Sequence, residues 1–144
     1  MKHSLLQTLI YIRMDLIKAA KQGKTVPYKR LMKKYGIVRG NTYGQGIGWV
    51  VGHVSEYEHQ HGRPLLSAIV VRSNSVSKLC PQGHPGTGFL RLDGIRPRFQ
   101  RDSRSTGPLT KAEQAYIHSE QQRVWNYWKR HKVSSKPLKD LLNR

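Results

Sequence analysis

The apolar rhythm of the chain changes at Pro64, and that change limits the folds open to it. Before Pro64, apolar residues recur every three or four positions, the period of a helix with one buried face. In residues 4–21 they are Leu5, Leu6, Leu9, Ile12, Leu16 and Ile17. Ser4 is placed to cap this helix, and Gly23 to end it just past Lys21. A second helix is expected from Pro27 through YKRLMKKY to Gly36, with Leu31, Met32 and Tyr35 inward. A third, YGQGIGWVVGHVSEYEHQHG, carries Ile47, Val50, Val51 and Val54 in helical register, with Asn41 or Thr42 as its cap. Gly44, Gly48 and Gly52 fall four apart on another stripe. Each glycine costs a helix about 1 kcal/mol relative to alanine, so the stripe predicts close approach of another backbone.

After Pro64 the run LLSAIVVR is β-branched and bounded by Ser73-Asn74, which predicts a buried strand. SNSVSKLCPQGHPGTG is a loop whose HPGTGF turn calls for glycine at positive φ. GFLRL is a second short strand, so the two predict a β-hairpin with a long tip. Residues 93–110 form a basic connection. Thr110, with Glu113 three residues on, opens a long helix that docks through Ala112, Ala115, Tyr116, Val124, Tyr127 and Trp128. This order predicts an α+β fold: a winged helix-turn-helix-like core of three helices plus a β-hairpin over 1–93, a connection over 94–110, and a helical extension over 111–144 docking on the core.

Charge narrows the function. Among 144 residues, 26 are Lys or Arg and 8 are Asp or Glu, for a net charge of +18. The first 55 residues hold ten of the cations and one acid, Asp15. Such a field repels itself unless a polyanion relieves it. The cations sit towards both ends rather than along one amphipathic helix, which favours nucleic acid over a membrane surface. No apolar run approaches the ~20 residues that span a bilayer. Arg13 and Asp15 interrupt the apolar N-terminus, and no small-residue cleavage site follows, so a signal peptide is not expected. A single cysteine, Cys80, excludes an internal disulfide framework and a multi-cysteine zinc site, and fits a reducing cytoplasm.

In a winged helix the third helix enters the major groove by its N-terminal residues. Arg39, Asn41, Thr42, Tyr43 and Gln45 are therefore the candidates for base edges. Lys29, Arg30, Lys33, Lys34, Lys78, Arg96, Arg98, Arg101, Lys129, Arg130 and Lys132 are the candidates for phosphates. The expected partner is nucleic acid, duplex DNA ahead of RNA, with no cofactor and no metal.

Two enzyme-like features compete. Residues 53–61, HVSEYEHQH, crowd histidines and glutamates at helical spacing, so Glu56, His59 and His61 could form the site of a small nuclease. The HExxH zinc pattern is absent, and histidines at a helix C-terminus complement its dipole, so a solvated helix end is the expectation, with His53 the member to be buried. Cys80 with His84 four residues on could make a reactive thiolate, but no third orienting group stands near in sequence. Trp125, Tyr127 and Trp128 could stack on bases; they are expected to anchor their helix instead. An inhibitor or adaptor docking on a nucleic-acid enzyme is a further alternative.

The order VPYKRLMKKYG, GIGWVVGHVSEY, GRPLLSAIVV, PGTGF over residues 26–92 resembles the DNA-binding domain of alkylguanine-DNA alkyltransferases and alkyltransferase-like proteins. Val26 and Tyr28 match that family's Val-x-Tyr, Pro64 the proline of its Pro-Cys-His-Arg-Val, and Ile69 to Val71 the strand that follows. The resemblance implies a winged-helix DNA-binding fold. Leu65 stands in the cysteine's place and Leu66 in the histidine's, so alkyl transfer is not implied. Arg-Pro-x-Leu-Ser-Ala-x-Val-Val, Pro-Gly-x-Gly-Phe and a late Tyr-Trp, over residues 26–128, also resemble a group of small uncharacterised bacterial and phage proteins. That second resemblance implies a phage or mobile-element origin and no particular activity.

Overall fold

The computed structural model describes residues 4–37, 46–92, 95 and 108–133. Helix α1 (Leu5–Lys21) opens on a capping box in which Gln7 N donates to Ser4 Oγ and Ser4 N to Gln7 Oε1. Its buried stripe, Leu9, Ile12, Leu16, Ile17 and Ala20, is the one its spacing predicts. Gly23, at φ +67°, turns the chain, and Gly23 N and Lys24 N satisfy the carbonyls of Ala20 and Ala19. Strand β1 (Val26–Pro27) leads directly into α2 (Tyr28–Tyr35), which ends at a left-handed Gly36. Helix α3 (Ile47–Gln60) and helix α4 (Lys111–Arg130) are the other α-helices among the described residues, α4 opening on the Thr110–Glu113 capping box.

The architecture is mixed helical with a small parallel sheet. Strand β2 (Val70–Val71) pairs with β1, Val26 against Val70 and Pro27 against Val71. The expected hairpin does not form. Leu66–Ile69 is a 3₁₀ turn, and so is Thr87–Arg91, which the sequence places in a second strand. The cause lies in where the backbone's hydrogen bonds go. Leu65 N donates to Glu120 Oε2 at 2.9 Å, and Ser67 N to Ser55 Oγ at 2.7 Å. The Ala68 carbonyl accepts from Gln121 Nε2 at 3.0 Å. Side chains of α3 and α4 thus take the groups that a partner strand would have taken. The apolar run is buried as predicted, as a turn over Leu66–Ile69 and a strand only at Val70–Val71.

Two further expectations change. No neighbouring helix packs on the glycine stripe among the described residues: a Cβ at Gly48 would meet nothing within 4 Å, and one at Gly52 only a Leu92 methyl at 3.5 Å; Gly44 lies outside the described residues. The inward face of α4 is Glu113, Ile117, Glu120, Gln121, Val124 and Trp128, while Ala112 and Ala115 are exposed. Glu120 and Gln121 are buried because they hold backbone, a role that apolar patterning cannot detect. Positive φ falls at Gly83 (+91°), just before HPGTGF, and Gly86 is extended.

At the centre, α1, α3 and α4 meet around Glu58. Its carboxylate is fully buried and takes Arg13 Nε at 2.7 Å on one oxygen and Arg63 Nε at 2.7 Å on the other. Arg13 is itself 3% exposed and lies between two rings, its Cζ 5.5 Å from the centre of Tyr57 and 5.6 Å from that of Trp128. Burial weakens the Arg63 guanidinium, but Glu58 and then Tyr57 outweigh it, and the proton is held above the ordinary arginine range. Removing one partner of a buried ion pair costs about 3–5 kcal/mol, because a charge is left without compensation. Glu58→Gln leaves two guanidinia facing each other and should cost about that much in urea unfolding. Arg63→Ala leaves the Arg13–Glu58 pair intact and should cost about 1–2 kcal/mol. Equal losses from the two variants would refute this ranking.

Candidate nucleic-acid interface

The fold brings two neighbouring groups of cations from α1 and α2 together with a third from the distant end of α4. Lys18, Lys21 and Lys24 stand at the end of α1 and in the turn after it. Lys29, Arg30, Lys33 and Lys34 are exposed on α2, and Lys129, Arg130 and Lys132 are exposed at the end of α4. A groove of about 230 Å³ between α1 and α2 is lined by Asp15, Lys18, Gln22, Arg30 and Lys34 among others. The end of α4 is bound to the end of α1. Lys21 Nζ donates to the carbonyls of Trp128 (3.1 Å) and His131 (2.9 Å), capping α4 with a positive charge where its dipole is negative. Trp125 Nε1 donates to the Lys24 carbonyl at 3.0 Å, and the Lys129 ammonium lies beside Gly23. Lys18 therefore faces the α2 group, while Lys21, one turn on, holds the α4 group.

The sequence reading named the second and third groups and missed the first. Its signal was present: Lys18 lies on the face of α1 opposite the buried stripe, and Lys21 at the stripe's edge. One named residue is partly spent, since Lys34 pairs with Asp15 at 2.9 Å. Tyr35 also donates to Asp15, at 2.5 Å. Burial first, and Asp15 second, hold that phenol protonated beyond its usual range. Lys78 is exposed on the loop that follows β2. Arg39, Asn41, Thr42, Tyr43, Gln45, Arg96, Arg98 and Arg101 lie outside the described residues, as do the expected caps of α3; its described start is capped by Gly46.

The disposition of the acids matters as much as that of the cations. None of the described carboxylates is exposed. Glu58 holds two arginines, Glu113 caps α4, Glu120 holds Leu65 N and Arg123, Asp15 holds Tyr35 and Lys34, and Glu56 is 3% exposed. The fold draws its negative charge inward and leaves the cations at the surface.

The enzyme-like features come apart. Glu56 is buried, His59 is exposed, and His61 turns its Nδ1 to the Tyr57 carbonyl at 2.9 Å. Among the described residues no group of three His, Cys, Asp or Glu could hold a metal ion. The helix end is solvated only from His59 to His61, because Glu56 is buried and Glu58 lies at the centre of the core; His53 is buried as expected. The aromatic residues anchor α4 as expected, with Trp128 2% exposed. No described helix is long and apolar enough to cross a membrane.

Cys80 is buried, and its thiol lies 3.4 Å from the Gln114 carbonyl. Burial pushes the thiol up, with Ser77 opposing, so no nucleophilic thiolate is held there. Burial likewise pushes Tyr28 up to about 12, against the opposing pull of the Gly86 backbone and Arg72. Each group keeps its proton more tightly folded than unfolded, so stability is complete below the unfolded values, about 8.5 for cysteine and 10 for tyrosine, and is lost as pH rises past them. Alkylation of Cys80 at pH 8 should follow unfolding rather than precede it, and urea midpoints should fall between about pH 9 and 12. Rapid alkylation of the folded chain would contradict this.

No family model, curated protein or solved structure matches the chain, so the geometry above carries the functional reading.

Proposed function

We propose that this chain binds nucleic acid, duplex DNA in the first instance, chiefly through phosphates. The observation that supports this best is the separation of charge. Eight exposed cations in the three linked groups, Lys18, Lys24, Lys29, Arg30, Lys33, Lys129, Arg130 and Lys132, have no ion pair among the described residues, and the described carboxylates are buried except Asp15, which is partly exposed among them and paired with Lys34. Acids on the surface would soften such a field, and here four of the five described acids are buried while Asp15 is held by Lys34 and Tyr35. In this reading α2 and α3 act as a helix-turn-helix-like pair without a hairpin wing, and any base preference comes from residues 39–45. The lone buried thiol fits a reducing cytoplasm. With Glu56 buried and His59 exposed, the nuclease alternative has less support.

Each phosphate neutralised on a duplex adds about 0.9 to the slope of log K against log salt. Engagement of about five of the eight cations gives a slope near −4.5. Lys29→Ala/Lys33→Ala and Lys129→Ala/Arg130→Ala should each flatten it by about 1.8 on every duplex sequence. Parallel titrations with duplex RNA and single strands would set the preferred form. Absence of binding to all of them at low salt, or slopes that neither double variant changes, would end the proposal.

A further inference from the structure

Behind β2 the chain builds a second polar site, apart from the surface just described. A pocket of about 290 Å³ is lined by Arg72, Ser73, Asn74, Thr87 and His84, with Pro85 and Leu109 among its apolar walls. That volume is at the lower end of the range for small-molecule sites, about 300–1,000 Å³. No carboxylate is among its described lining residues. Arg72 is exposed and has no ion pair among the described residues.

Its frame is stiff. Arg72 N donates to the His84 carbonyl at 3.0 Å. Ser75 Oγ donates to the Arg72 carbonyl at 2.6 Å and accepts from His84 N at 3.0 Å. Gly83, at φ +91°, packs so tightly that a Cβ there would fall 2.8 Å from Ser75 Oγ and 3.2 Å from Val71 Cβ. The aliphatic stem of Arg72 lies over Gly86, where a Cβ would come within 3.2 Å of Cδ. Gln114 closes the far wall, donating to the Leu109 carbonyl and accepting from Ser77. His84 Nδ1 faces the Pro85 carbonyl at 2.8 Å. A carbonyl can only accept, so that nitrogen carries the proton, and in this tautomer Nε2 accepts, which suits a sugar hydroxyl rather than a phosphate oxygen.

We propose that this pocket binds a phosphate monoester, carried by a small sugar-sized alcohol or by the end of a nucleic-acid strand. The Arg72 guanidinium supplies a planar fork that matches two phosphate oxygens. The Ser73 and Thr87 hydroxyls and the Asn74 amide supply neutral donors, and the proline and leucine walls suit the face of a sugar. A bare inorganic anion would fill only part of the space. The site does not depend on the duplex-binding reading, since its donors belong to a different group of residues.

The test is calorimetry on the intact chain at about 150 mM salt, where the Debye length is about 8 Å and distant lysines contribute little. Adenosine 5′-monophosphate is compared with adenosine, and a 5′-phosphorylated oligonucleotide with its 5′-hydroxyl twin. Binding should strengthen at least tenfold with the phosphate in one pair or both. A gain confined to the mononucleotide assigns a free small molecule, and a gain with the oligonucleotide assigns a strand end. Arg72→Gln should remove the gain, Thr87→Val should reduce it a few-fold, and Lys29→Ala/Lys33→Ala should leave it intact. No gain in either pair, or a gain that survives Arg72→Gln, overturns the proposal. The 5′-hydroxyl oligonucleotide alone tests the Lys29 and Lys33 surface, so failure of one site is seen separately from failure of the other.

Discussion

The Glu58 carboxylate is the point on which the arrangement of helices depends. Two guanidinia approach it, one from α1 and one from just beyond its own helix, and the rings of Tyr57 and Trp128 close over Arg13. A buried charge trio is seldom the most stabilising content for a core, since desolvation offsets most of its Coulomb attraction. What it supplies here is alignment. Arg13 has one carboxylate to reach, and reaching it fixes both the rotation of α1 and the seat of Trp128. The surrounding aliphatic side chains, Leu9, Ile12, Val54 and Val124 among them, then pack on helices already set in register.

The same economy of polar groups explains the small sheet. A chain that buries LLSAIVV must satisfy its amides somewhere. Three side chains, Ser55, Glu120 and Gln121, do most of this, leaving only Val70 and Val71 to pair with β1. Gln121 also reaches the Gly83 carbonyl at 3.0 Å, so the turn after the loop is held by the same residue that holds the 3₁₀ segment. Helix α4 is therefore as much a partner for backbone as a hydrophobic cover.

These two points also explain what the sequence could and could not reveal. Helix α1 was legible to its caps, because Ser4 and Gly23 act locally and its apolar spacing is regular. Thr110 and Glu113 announced α4 in the same way. The hairpin was misread because β-branched residues signal burial, and burial alone does not say what will satisfy the backbone. Arg13 looked like an interruption in an apolar stretch, and Glu58 like part of a polar helix end; that each requires the other is a property of the fold. The cations of α2 and α4 were visible from composition, but their joining through Lys21 and Trp125 was not, since both of those bonds end on backbone carbonyls. Lys34 looked as free as its neighbours until Asp15 was placed beside it.

Lys21 reaches carbonyls 107 and 110 residues away, and Arg13 lies under a ring from the same distant helix. Contacts so remote along the chain carry a large loop-closure cost before they give anything back, and folds dominated by them form slowly. During synthesis α1, α2 and α3 emerge while Trp128 is still to be made, so a nascent chain holds Arg13 and the Leu65–Val71 segment uncovered until α4 arrives. The interval before that closure is when this molecule is most open to aggregation and to proteases.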